Sequence, residues 1–450
     1  MPNRPADPLG GRNSLGLVTD VEDLLAFLEA APSPYHAVAE ASRRLQAAGF
    51  AAMDATEEWP SGSGRFFLAS GGALVAWSVP ASAAADAATP FRIVGAHTDS
   101  PNLRIRPRPD TASQGWRQLA VEVYGGALWN SWLDRDLGLS GRVVVDAQAE
   151  PLLVRVERPL LRIPQLAIHL DREVNSGGLD LNPQRHLTPV WGVGPVQEGD
   201  FVEFLAEAVS AEHGQAIDPA DIGAWDLMVH DLATPVRLGR RRELVASARL
   251  DDLLSCWAAV EALVAGDDEA LEVVAVACLY DHEEVGSTSA TGADGALLAQ
   301  VLERTVLARG GHRDHYLRAL AASSCASTDG AHATHPNYPE RHEPGHPVSV
   351  DGGPVIKVNA NQRYATEAMT ATAMAAACER AGVPHQWFVS RNDQPCGSTI
   401  GPVTASRLAV PTVDVGVAML SMHSARELCG AEDPVRFAQM LSAWLAAPRA

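Results

Sequence analysis

Five stretches of the sequence end in groups that can titrate or ligate a metal: His97-Thr98-Asp99, Asp251, Asp281-His282-Glu283-Glu284, Asp329 and His423. Together they supply carboxylates and imidazoles without a thiolate. That donor set suits a pair of borderline divalent ions such as Zn²⁺, one carboxylate bridging ions about 3.5 Å apart and an open position remaining for water. Adjacent glutamates at a strand end point different ways, so of Glu283 and Glu284 one can bind metal while the other faces the water as general base. Each fragment alone has a plainer explanation. His-Thr-Asp suits a turn, Asp251-Asp252 a helix N-cap, Asp-His-Glu-Glu an exposed acidic turn, and His423 a hydrogen-bonded core imidazole. Their recurrence at the ends of separate elements is what argues for one shared site.

Those elements must converge for the chemistry to exist. Compact apolar runs at 91–96, 271–280, 321–328, 384–390 and 411–418 read as strands, and helical spacing is seen after Thr19, from Ala37, and over 251–264, 294–308 and 364–381. Strands alternating with helices predict an α/β layered sheet, and in open sheets of that kind ligands bind at the carboxyl ends of the strands. Between 102 and 239 the texture changes to short β-rich runs separated by Gly, Pro and Asp. The simplest organisation is one α/β catalytic domain formed by residues 1–100 and 240–450 and split by a β-rich insert at 101–239. Residues 1–18, rich in Pro, Gly and Asn, read as frayed, and the Ala-rich stretch 81–89 as a surface loop.

With 450 residues, 46% of them hydrophobic and only 20% charged, the chain has material for a large core and is no disordered segment. Its formal charge of −20 opposes phosphate backbones and anionic lipid, so neither nucleic acid nor membrane is expected as a partner. The cysteines have no CxxC spacing and sit mostly in apolar stretches, and the first residues lack an apolar signal core, which together predict a cytoplasmic protein. Positive charge is carried by Arg almost everywhere; the single lysine is Lys357. A compact ammonium kept where a wider guanidinium fork would otherwise serve suggests a group that pairs with a substrate carboxylate. Between 329 and 357 lie His332, His335, His342 and His346, but frequent Pro makes this an extended loop, and only His332 is placed near the site.

The runs HTDSPNLR (97–104), WLDRDLGLSGRV (132–143), AIHL (167–170), RLDD (249–252), DHEEVGS (281–287), HPNY (335–338), GPVIKVN (353–359), QRY (362–364) and SMHS (421–424) resemble the aspartyl aminopeptidase family of dinuclear zinc exopeptidases, in the family's order over roughly residues 20–440. The resemblance implies a three-layer α/β/α zinc-peptidase domain with an inserted β-rich domain for dimerisation and oligomerisation. It implies two divalent ions per subunit, most readily Zn²⁺, with Mn²⁺ or Co²⁺ as substitutes. His97 and Asp329 would complete one ion's ligands, Glu284 and His423 the other's, Asp251 would bridge, and Glu283 would be the general base. His332, Lys357 and Tyr364 would surround the substrate, and His169 would reach from the insert into a neighbouring subunit's site. The implied activity is removal of N-terminal Asp or Glu from short peptides by a homo-oligomer, a dodecamer in the family. Two positions depart from the family pattern: Gly330, where a larger apolar residue is usual, and Asp252, where Asn is frequent. Competing readings are a broader dinuclear metalloexopeptidase and a non-catalytic assembly or cargo protein on the same fold. A phosphoesterase is disfavoured because no Arg cluster or Gly-rich cradle accompanies the ligand set.

Overall fold

The computed structural model describes residues 20–84, 86–146, 150–267 and 271–447. Its centre is a nine-stranded sheet, whose order is Ala51–Ala52, Gly64–Ser70, Ala73–Val79, Val274–Tyr280, Phe91–His97, Ser324–Thr328, Thr412–Gly416, Val355–Val358 and Gln386–Val389. Val274–Tyr280, Phe91–His97, Ser324–Thr328 and Thr412–Gly416 are mutually parallel neighbours. Their carboxyl ends therefore lie side by side.

Strand periodicity explains why helices cover both faces. In Val274–Tyr280 the residues Ala275, Ala277 and Leu279 join one apolar core, while Val274, Val276, Cys278 and Tyr280 join another on the opposite face. The first core takes in residues of Val21–Ala30, Pro34–Ala47, Leu250–Val264, Ala368–Ala381 and Asp433–Leu445; the second takes in Leu297–Ala308, Arg313–Ala321 and Ile400–Leu408. The result is the three-layer α/β/α arrangement, with Trp257 and Trp444 fully enclosed.

A six-stranded sheet, mostly antiparallel hairpins, is built from Leu152–Leu161, Leu137–Val144, Ala224–Asp231, Asn102–Ser113, Trp116–Tyr124 and Val190–Val193 in that order, and forms the inserted β-rich domain. Across it lies a long helix, Asp200–His213, that β-rich texture alone does not predict; Phe201, Leu205 and Val209 attach it to the sheet. A further five-stranded sheet joins Val236–Leu238, Leu244–Ser247, Glu427–Gly430, Ala418–Leu420 and Ala331–His332. It too is unforeseen, because strands this short carry no periodicity. Ala81–Ala84, expected as loop, is a helical turn with Ala83 buried. The frayed segment expected at 1–18 lies outside the described residues. No helix among the described residues is long and apolar enough to cross a membrane.

Candidate metal centre

Three of the parallel strands deliver side chains to one place. His97 ends Phe91–His97, Glu283 and Glu284 follow Val274–Tyr280 on a short 3₁₀ turn, and Asp329 follows Ser324–Thr328. Asp251 arrives from the start of the helix Leu250–Val264, and His423 from the turn after Ala418–Leu420. Arg249 holds the N-cap position, no side chain caps the helix, and both aspartates have non-helical dihedrals across a cis peptide bond.

Asp251 divides its carboxylate between two imidazoles. Its Oδ1 lies 3.5 Å from His97 Nε2, and its Oδ2 lies 3.4 Å from His423 Nε2. His97 Nε2 is 3.9 Å from Asp329 Oδ1, and His423 Nε2 is 3.4 Å from Glu284 Oε1. Ligand atoms of His97, Asp251 and Asp329 form one group and those of Asp251, Glu284 and His423 a second, each within 4.8 Å. These separations are long for hydrogen bonds but match the edge of a tetrahedron of oxygen and nitrogen around a zinc-sized ion, about 3.4 Å for bonds near 2.1 Å. Asp251 Oδ1 and Glu284 Oε1 are buried without a hydrogen-bond partner, an arrangement that a cation would satisfy. The residues present thus fit a dinuclear divalent-metal centre with Asp251 shared.

The surroundings orient each ligand. The Nδ1 of His97 is 3.0 Å from the Asp99 carbonyl and that of His423 is 3.1 Å from the Gly126 carbonyl, so each N–H donates backward and leaves Nε2 with a lone pair toward the centre. Asp99, fully buried, accepts from the backbone N–H groups of Glu283 at 3.0 Å and Glu284 at 3.1 Å, and from the Tyr124 hydroxyl at 2.6 Å. Tyr124 ends an insert strand that continues into Gly125 and Gly126. A Cβ on Gly125, whose φ is +70°, would come within 3.0 Å of the Glu284 Cβ, so the insert presses bare backbone against the ligand. Tyr124→Phe removes one charge-assisted hydrogen bond from Asp99. The expected result is about tenfold lower kcat with metal content retained, and an unchanged kcat would show that Asp99 needs no such support.

Crowded acids and imidazoles shift one another. Burial pushes Glu283 up to about 7, with the His97 ring opposing and Asp329 and Asp251 reinforcing. Burial alone would lower His423, but its bond to Asp251 and the charge of Glu284 prevail and raise it to about 10. Asp251 is held well below the ordinary carboxylate range, because His423 and His97 outweigh its burial. Asp252 moves the opposite way: burial, against His97 but with Asp329 and Asp251, raises it well above that range.

A model of the family described as aminopeptidase I zinc metalloprotease (M18) matches residues 27–445. The chain belongs to the M18 family. It is 55% identical to the probable M18 family aminopeptidase 2 of Streptomyces coelicolor over 94% of this chain and 97% of that protein. To the protein of the same description from Mycobacterium tuberculosis strain H37Rv it is 49% identical, again over 94% and 97%. Among solved structures, the cryo-EM complex of Ape4 and Nbr1 matches with a TM-score of 0.90 at 35% identity, covering 95% of this chain and 85% of that one. The crystal structure of prApe1 matches with a TM-score of 0.86 at 25% identity over 94% of each chain.

In this M18 chain Lys357, Tyr364 and His332 gather around Phe388 on the Asp329 side of the centre, and His169 lies apart from them. Lys357 is only 1% exposed; its Nζ donates to the carbonyls of Gly330 at 3.0 Å and Asp329 at 3.4 Å and lies 3.6 Å from the Asp329 carboxylate. The same ammonium sits 5.0 Å over the Tyr364 ring, itself buried against Phe388. His332 is exposed beside Phe388. His169 occupies an exposed turn of the insert and forms no hydrogen bond or ion pair with either ligand group. His335 and His342 hydrogen-bond along the loop, His346 pairs with Glu343, and none belongs to a potential metal group among the described residues. Gly330 has its reason too: a Cβ there would meet Met422 at 2.7 Å and Met419 at 3.0 Å, so these methionines fill the room a larger side chain would need. Glu427 and Tyr124 are supporting residues that the motifs do not reveal.

Proposed function

We propose that this M18 protein removes N-terminal residues from short peptides, with acidic residues preferred and Glu283 as general base. The observation that carries the peptidase reading is the Asp251 carboxylate divided between two ligand groups, with Glu283 held at their edge by Asp99. Divalent ions bound by these residues supply Lewis acidity that polarises a scissile carbonyl and acidifies water. Glu283 then accepts the proton of the attacking water and returns it to the departing amine. Burial, which raises this carboxyl, favours its taking a proton. His169, carried on an exposed turn, would donate toward the developing oxyanion in a neighbouring subunit's site.

The acidic preference rests on Lys357, the chain's single lysine, placed against the ligand Asp329. A second reading, broader specificity, has its own support: that ammonium is buried and already directed at Asp329 and Gly330, so its charge can serve Asp329 alone. Hydrolysis of Asp-, Glu-, Leu- and Ala-amides by the unmodified chain and by Lys357→Met separates them. Under the acidic reading the variant loses about a hundredfold on Asp and Glu substrates and less than threefold on Leu, the scale expected for a buried charge pair. Equal losses across the panel would leave the broader reading.

Two further expectations belong here. One solved neighbour is described as a dodecamer of mApe1 from S. cerevesiae, and we extend a homo-oligomer to this chain, testable by light scattering. Another is the complex of Ape4 with Nbr1, which keeps the assembly or cargo reading in view. The complete ligand set beside Glu283 argues against a non-catalytic role, and bound zinc near two ions per chain is the discriminating measurement. A cytoplasmic setting remains part of this proposal.

A further inference from the structure

Backbone N–H groups of the ligand-bearing segments are gripped by carboxylates that are not themselves in the ligand groups. Asp252 Oδ2 accepts from His97 at 3.1 Å, and Asp99 accepts from Glu283 and Glu284 at 3.0 and 3.1 Å. Glu427 differs from both, because it spans segments that approach from different parts of the fold. Its Oε2 accepts from the Asp251 N–H at 3.0 Å and its Oε1 from the His423 N–H at 2.7 Å.

The small sheet makes this span possible. Glu427 begins the strand Glu427–Gly430 and lies directly across from Ser247, the last residue of Leu244–Ser247. From Ser247 the chain runs forward to Asp251, and from Glu427 it runs back to His423. One paired rung therefore launches two short excursions, and the 2% exposed carboxylate of Glu427 ties their far ends together. A carboxyl group that accepts from two backbone N–H groups fixes both segments, and removing a group that orients metal ligands from behind typically costs about 10- to 100-fold in metal affinity.

Building on the dinuclear reading, we infer that Glu427 is a positioning residue that holds the bridging ligand Asp251 and the terminal ligand His423 in register, and so sets the relative affinity of the two metal positions. The asymmetry follows from the geometry. The group of Asp251, Glu284 and His423 depends on Glu427 through two of its members, whereas the group of His97, Asp251 and Asp329 depends on it through Asp251 alone. Loss of Glu427 weakens both positions and weakens the His423 position more.

The test is a chelator-competition titration of the full chain with Zn²⁺, comparing the unmodified protein, Glu427→Gln and Glu427→Asp. Glutamine keeps one acceptor but turns an NH₂ group toward an N–H; aspartate keeps the charge but is too short to reach both segments. The expected result for Glu427→Gln is an unequal loss, the affinity of one position falling about 10- to 100-fold and that of the other by a smaller factor, so that the separation between the two binding steps changes. At saturating zinc most of the kcat returns, as a positioning role requires. Glu427→Asp shows the same skew on a smaller scale and carries the test if the glutamine variant does not fold. Unchanged affinities, or equal losses at both positions, would overturn the inference. Because the readout is metal binding, it stands apart from the function: two ions bound without hydrolysis by the unmodified chain sink the peptidase reading while the skew remains measurable.

Discussion

Glu283→Gln is expected to leave both metal positions filled and to lower kcat by about 10²- to 10⁴-fold, the usual contribution of a positioned general base. Glutamine preserves size and the hydrogen bond that the backbone of residue 283 makes to Asp99, because that bond uses the N–H and not the side chain. What it removes is the ability to take a proton. Glu283 belongs to neither ligand group, so metal content should hold. The neighbouring Glu284→Gln should behave differently. Glu284 Oε1 lies 3.4 Å from His423 Nε2 within the second group, and its amide would bind a cation far more weakly. Elemental analysis beside steady-state kinetics on both variants gives the contrast. A metal-replete Glu283→Gln with near-normal turnover would remove Glu283 from the chemistry, and metal loss in that variant with retention in Glu284→Gln would exchange the roles of the pair.

Why that dipeptide was legible, and other parts were not, is a matter of period and length. Val274–Tyr280 and Phe91–His97 are unbroken apolar runs that stop at ionisable groups, and such a stop on a buried strand needs an explanation even without coordinates. The helix 251–264 was equally visible, since its structured counterpart is Leu250–Val264. The small sheet was not. Ala331–His332 and Ala418–Leu420 are too short to show alternation, and the run predicted as one strand over 411–418 divides into Thr412–Gly416 and Ala418–Leu420, which belong to different sheets. His423 was thus placed near the site through sequence position and family resemblance rather than through the sheet that delivers it. Asp200–His213 offered a better signal than its surroundings suggested: Phe201, Leu205 and Val209 recur at helical spacing between Gly199 and Gly214.

The residues behind the ligands were the least legible. Glu427 sits in Arg-Glu-Leu-Cys-Gly, which carries no site motif, and only three-dimensional pairing shows both of its oxygens committed to Asp251 and His423. Lys357 illustrates the reverse. Its singularity was plain in the sequence, but the carbonyls that receive its protons lie on a different strand end, where no motif could point.

Stripping the metals should destabilise the fold, and the loss should grow as pH rises from 6 toward 8. The acids Asp281, Glu283 and Glu427 are raised to about 6, 7 and 8, each chiefly by burial. In the stripped protein the folded chain binds these protons more tightly than the unfolded chain does, so stability falls as pH climbs through the folded values. His423, raised to about 10, acts in the same direction: the stability of its ion pair is complete below its ordinary pKa and drains away as pH passes the folded one. Asp251 is depressed instead, so its contribution is lost only in acid, below about pH 4. Metal binding needs ionised carboxylates and neutral imidazoles, so protons compete with it and affinity rises over the window in which the stripped form weakens. At free metal a thousandfold above Kd each ion adds about 4 kcal/mol, enough to move an apparent melting temperature by many degrees. Melting curves with and without chelator at pH 6, 7 and 8 should show a gap that widens with pH, and zinc titrations in buffers of different ionisation enthalpy should show net proton release. A gap that stays constant or closes toward pH 8 would mean that the titration of these buried acids and of His423 does not govern the stability of the stripped form.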